Sequence, residues 1–81
     1  MERTEIESKV NAFLVEEMEV EGRNINNDAR LKEDIGLDSL DFVDIVVIVE
    51  RIFGFKIKSE EMSGVITVKD FYDYIESRIH G

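Results

Sequence analysis

The sequence predicts an all-α domain: three main helices, one short helix and a long first loop. Apolar residues recur at helical spacing in three segments, and a helix-start signal stands at the head of each. The middle segment, Ser39 to Phe53, contains neither Gly nor Pro, so about four turns fit. At 81 residues the chain makes a single domain, residues 1–81. A chain this short buries only about 60% of its unfolded surface. Five Phe with many Val, Ile and Leu suffice for a small helical core, but not for a deep active site plus a scaffold.

The first helix is expected from Thr4, with Thr4-Glu5-Ile6-Glu7 as a capping box in which Glu7 reaches back. Ile6, Val10, Phe13 and Leu14 form its apolar stripe, with Met18 in line. Glu16, Glu17 and Glu19 crowd the end where the helix dipole disfavours acids, so fraying is expected there. Val20 to Asp38 is a long connection with turn chemistry at Gly22 and Asn24 to Asp28. Ile25, Leu31, Ile35 and Leu37 can pin it to the core. Asn24, Asn26 and Asp28 do not make a calcium loop. An EF-hand needs Gly at its sixth position and Glu at its twelfth, and Ala29 and Ile35 stand there.

Gly36 suits a bend before the central helix, and Asp38 is a good N-cap. The Val and Ile residues that follow are mediocre helix formers, so packing must hold this helix. Phe42, Val46, Val49 and Phe53 make a core-facing line, flanked by Ile45 and Ile52. The opposite line is Leu40, Asp44, Val47 and Arg51, with Asp41, Val43, Ile48 and Glu50 at its margins. Two readings of that side stand open. It is a set of ordinary exposed apolar residues, or a small apolar strip rimmed by acids that serves as a docking surface.

After the central helix, Ser59 is expected to cap a short helix through Glu60, Glu61 and Met62. Gly64 weakens it, so this is the least stable helix. Thr67-Val68-Lys69-Asp70 looks like a second capping motif, with Asp in place of Glu. Val68, Phe71, Ile75 and Ile79 form the buried stripe of the last helix, and Tyr72 and Tyr74 fall toward its edges.

The formal net charge is −9, from 19 acids against 10 bases. That repels nucleic acid and anionic membranes and favours basic partners. Glu33, Asp34, Asp38, Asp41, Asp44 and Glu50 follow one another with no Lys or Arg between them. The absence of cysteine excludes a disulfide framework, a thiolate metal site and a Cys nucleophile. No signal peptide or membrane span is expected, which places the protein in the cytoplasm or an organelle matrix. No catalytic residue is expected. Ser39 has no histidine near it in sequence and no Gly-x-Ser-x-Gly elbow. An unactivated hydroxyl is a poor nucleophile, so a small serine hydrolase is a weak reading.

Gly36-Leu37-Asp38-Ser39-Leu40-Asp41-Phe42-Val43-Asp44 resembles the phosphopantetheine attachment motif of acyl carrier proteins. Phe53-Gly54 before Ile57, the acids Glu60-Glu61, Thr67-Val68 and Tyr74-Ile75 extend the resemblance over nearly the whole chain. It implies an acyl-carrier-like four-helix bundle: a monomeric, discrete carrier and phosphoprotein, not an enzyme. It implies 4′-phosphopantetheine from coenzyme A on Ser39, flanked by Asp38, holding acyl intermediates as thioesters for fatty acid or specialised lipid biosynthesis. The implied partners are a phosphopantetheinyl transferase and acyl-handling enzymes with basic docking patches. They would meet Leu40, Asp41, Val43, Asp44, Val47 and Glu50. Candidate residues lining an acyl chain are Phe42, Ile45, Val46, Ile57, Met62 and Ile75, each with core packing as its other reading. Carriers of fatty acid synthesis usually continue this helix with several acids before Phe. Here Glu50 is followed by Arg51 and Ile52, and Phe42 is bulkier than the usual residue. These departures point toward a specialised lipid, lipopolysaccharide-type or polyketide pathway. The alternatives are a carrier for a polyketide, nonribosomal peptide or other secondary pathway, and an unmodified helical interaction module.

Overall fold

The computed structural model describes residues 1–80; Gly81, the last residue of the single-domain reading, lies outside them. Three α-helices, α1 (Arg3–Glu16), α2 (Ser39–Phe53) and α3 (Val68–His80), enclose one core. Short 3-10 helices, three residues at Gly22–Asn24 and six at Ser59–Gly64, punctuate the connections. Among the described residues the only β-type pairing is one antiparallel bridge, Arg30 with Thr67.

α1 and α3 lie side by side and antiparallel. Phe13 and Phe71 meet edge to face, with centroids 6.3 Å apart. At the start of α1, Arg3 reaches Glu7, Asp73 and Glu76 at 2.8, 2.8 and 2.9 Å. This pairing displaces the expected capping box at Thr4. The helix begins two residues earlier, with Glu2 rather than Thr4 at the N-cap position and no side-chain cap, and Glu7 serves Arg3 instead. Tyr72 is also not at an edge. It is only 3% exposed, and its hydroxyl donates to Asn11 on α1. The neighbouring helix covers a flank of α3 that periodicity alone leaves half out, and Asn11 satisfies the polar tip.

The crowded acids end α1 at Glu16, where Met18 N–H bonds Phe13 C=O and Val20 N–H bonds Leu14 C=O. Glu19 takes a left-handed conformation, φ 60°, and Glu17 meets Arg51 of α2. The long loop is then tied down as its apolar residues suggest. Leu31 and Leu37 are buried, joined by Val20 and Ala29, while Ile25 and Ile35 pack against the core. Leu31 N–H donates to Ile66 C=O, and Val68 N–H to Ala29 C=O, each at 2.9 Å.

α2 buries Ile45, Ile48 and Val49. The buried stripe is therefore rotated from the sequence expectation. Ile48, placed at the margin of the outer side, is only 6% exposed, and Phe42, Val46 and Phe53 are half-buried. Residues i, i+3, i+4 and i+7 from Ile45 face the shared core, which turns the Phe42–Val46 flank toward the segment after α2. Gly54 ends the helix with φ 81°, its N–H bonded to Glu50 C=O. The expected short helix is present as a 3-10 helix, Ser59–Gly64, with Ser59 as its first residue rather than its cap. Lys58 precedes it without a cap bond, and Ser63 bonds Glu60 C=O.

α3 opens on the anticipated reciprocal box. Thr67 Oγ1 accepts from Asp70 N–H at 3.1 Å, and the Asp70 carboxylate accepts from the N–H groups of Thr67 and Ile66. Those two backbone donors hold the Asp70 carboxyl below its ordinary value. Thr67→Ala should cost about 1 kcal/mol of stability in urea unfolding. Asp70→Asn should also destabilise the protein at neutral pH. The carboxylate contribution is complete above the ordinary value of 3.8 and is lost as pH falls through the lower folded value. The gap between Asp70→Asn and wild type should accordingly narrow in strong acid.

Candidate functional site

The site is built on the entry to α2. Leu37 is buried, Gly36 turns the chain with φ 89°, and Asp38 is extended. Asp38 Oδ1 accepts from Asp41 N–H, and Asp41 Oδ2 accepts from Asp38 N–H, both at 3.0 Å. The first helical bond runs from Phe42 N–H to Asp38 C=O at 3.2 Å. Ser39 is thus the first residue of the helix, exposed to solvent. Among the described residues its hydroxyl has no hydrogen-bond partner, and the N–H groups of Ser39 and Leu40 have none either. Free N–H groups at the positive end of the helix dipole suit a phosphodiester anion. His80, at the far end of α3, is bonded to Met1 C=O and offers Ser39 no base.

Two adjoining flanks of α2 begin at Ser39 and share Val43 and Val47. On the outer one, Leu40, Val43 and Val47 are 76%, 62% and 64% exposed. Asp44 and Glu50 are exposed beside them, and Asp41 is half-buried in the capping box. On the other flank lies an apolar groove of about 450 Å³ with Ser39 on its lining. Phe42, Ile45 and Val46 line it from α2, together with Val43 and Val47, which the groove shares with the outer strip, and Ile57, Ser59 and Met62 line it from the segment beyond. Ile75, expected in the same set, is fully buried on α3 and lies outside the groove. α3 turns that side chain into the core, so the facing wall is the 3-10 segment instead.

That wall is held by a latch the sequence does not announce. Glu61 Oε1 accepts from the Tyr74 hydroxyl at 2.8 Å and from Arg78 Nη1 at 2.6 Å. The Arg78 guanidinium lies 4.9 Å from the centre of the Phe55 ring, and Phe55 meets Tyr74 edge-on. The Tyr74 hydrogen bond, helped by the Arg78 charge, holds the Glu61 carboxyl below its usual range. Only the spacing of Tyr74 and Arg78, one turn apart on α3, hints at a shared partner.

A protein-family model described as a phosphopantetheine attachment site matches residues 8–75, a span that includes Ser39. The chain belongs to the acyl carrier protein family. It is 39% identical over 80 residues to an acyl carrier protein of Coprothermobacter proteolyticus, covering 99% of this chain and 98% of that one. A Thermotoga maritima acyl carrier protein is 38% identical over 77 residues, 95% of each chain. One from Phytoplasma mali is 31% identical over 71 residues, 88% of this chain and 84% of the relative. Members of this family are carriers rather than enzymes, and their group is covalent 4′-phosphopantetheine. The acyl-carrier bundle expected from the sequence is the fold observed. Among the described residues no helix is long and apolar enough to cross a membrane.

Proposed function

We propose that Ser39 is the point of phosphopantetheine attachment, flanked by Asp38. The observation that carries this reading is an exposed, unengaged hydroxyl on a capped helix N-terminus at an apolar groove. When bound, the group supplies reach and a terminal thiol for an acyl load. The residues of the chain do the rest. The capping box holds Ser39 outward, and the free N–H groups of the first turn face the phosphodiester oxygens. In the modification, the Ser39 oxygen bonds to phosphorus of coenzyme A, adenosine bisphosphate leaves, and the hydroxyl proton passes to the transferase.

Leu40, Asp41, Val43, Asp44, Val47 and Glu50 form the face read by the transferase and by acyl-handling enzymes. Their exposure and acidic rim support this, because basic patches are steered to such a face. The groove between α2 and the 3-10 segment shelters the acyl chain. Lipid biosynthesis in the cytoplasm, by a monomeric carrier, is the setting. Arg51 and Lys56 interrupt the acidic face beyond Glu50 and favour a specialised pathway over housekeeping fatty acid synthesis.

Intact mass decides the first point. Apo-protein treated with coenzyme A, magnesium and a broad-specificity transferase should gain one phosphopantetheine, and Ser39→Ala none. A modified alanine variant would refute the assignment. Rates decide the second. Asp44→Lys should slow modification through association, with the deficit shrinking at high salt. Leu40→Ala should slow it at every salt concentration. Folded variants modified at the wild-type rate would exclude this face.

A further inference from the structure

Two grooves meet at Phe42. The one beside Ser39 is walled by Ile45, Val46 and Ile57. The second, about 380 Å³, lies beyond it, walled by Leu31, Val65 and Ile66 with Lys32 and Glu33. Phe42, Ser59 and Met62 line both, whereas Ser39 lines only the first. Phe42 from α2, with Ser59 and Met62 from the 3-10 segment, thus stands where the two compartments meet.

The two compartments differ in chemistry. The first is apolar except at Ser39 and Ser59. The second carries a lysine, a glutamate and Ser63. We propose that the Phe42–Met62 wall confines the acyl chain to the first groove, so that Phe42 sets the longest chain the protein shelters. This rests on attachment at Ser39 and on shelter in the groove, as read above. A chain entering beside Ser39 gains with each methylene while apolar wall covers it. At Phe42 that wall closes, and further methylenes return to water or face Lys32 and Glu33.

Phe42 is suited to the task because its backbone is fixed. Its N–H makes the first helical bond, to Asp38, and the capping box surrounds that bond. The ring is half-buried and packed against the core, so it is not free to swing aside. Met62, on a short 3-10 turn without buried residues, is the yielding half of the wall. The residue that limits chain length therefore stands within one turn of the residue that holds the chain.

The test uses holo-protein loaded with saturated acyl groups from butyryl to palmitoyl. Amide exchange and chemical shifts are followed at Val46 and Ile57 for the first compartment, and at Leu31 and Ile66 for the second. Cleavage of the thioester by hydroxylamine gives a second readout. In wild type, changes at Val46 and Ile57 should grow with chain length and then stop, and cleavage should stop slowing at the same length. Leu31 and Ile66 should stay unchanged throughout. In Phe42→Ala the limit should move to longer chains, Leu31 and Ile66 should respond, and the longest thioesters should be cleaved severalfold more slowly than in wild type. Phe42→Leu, which keeps more of the packing, should shift the limit less, and circular dichroism checks both folds. Long chains that already perturb Leu31 and Ile66 in wild type would overturn the proposal. So would an unchanged limit in both folded variants. If no chain of any length affects either set, shelter in the groove falls together with the wall. If Val46 and Ile57 respond but the limit ignores Phe42, only the wall falls.

Discussion

Asp38 and Asp41 hold the first turn of α2 by each accepting the other's backbone N–H, and the placement of every functional side chain follows from that turn. Two carboxylates so close would repel in open water. Here each accepts a backbone donor, and both sit at the positive end of the helix dipole. The capping box fixes where the helix begins, and the burial of Ile45, Ile48 and Val49 fixes its register. Ser39 falls outside, Leu40 faces solvent, Val43 and Val47 are exposed along the edge of the groove, and Phe42 and Val46 line it from within. The acids that secure the turn also place negative charge on both sides of Ser39.

The remainder of the molecule divides into a firm part and a yielding part. α1 and α3 are joined by the Phe13–Phe71 contact, the Tyr72–Asn11 bond and the Arg3 cluster. The long loop is bonded to the segment before α3, so its length does not leave it loose. Ser59–Gly64 buries no residue and hangs on the Glu61–Tyr74–Arg78 latch. Elements with few buried contacts open at lower free energy than the core. The wall of the groove beside Ser39 is thus drawn from the part of the fold that costs least to move.

What the sequence disclosed was local. The N-cap at Asp38, the turn at Gly36 and the Thr67–Asp70 box depend on neighbours within a few residues, and each formed where its signal lies. What it hid depends on contacts between elements. Arg3 takes Glu7 away from Thr4 because Asp73 and Glu76 gather around the same guanidinium. Ile48 and Tyr72 are buried because a neighbouring element covers a flank that periodicity leaves ambiguous. At the site, the Asp-Ser-Leu motif marks Ser39, and the apolar spacing marks the outer strip. That Ile57 and Met62 line the groove while Ile75 does not follows from how α3 packs. The double membership of Phe42 in two grooves has no counterpart in linear spacing.

The central claim is that the start of α2 presents Ser39, among several exposed serines, as the anchor of an arm beside the groove. It can be tested with one label. The chain has no cysteine, so a nitroxide on the thiol of the holo-protein marks the end of the arm and nothing else. Paramagnetic broadening should be strongest at the amides of Val43, Val46 and Met62, and weakest at Arg3 and His80. Broadening centred on Ser8 or Ser77, or spread evenly over the molecule, would contradict the account.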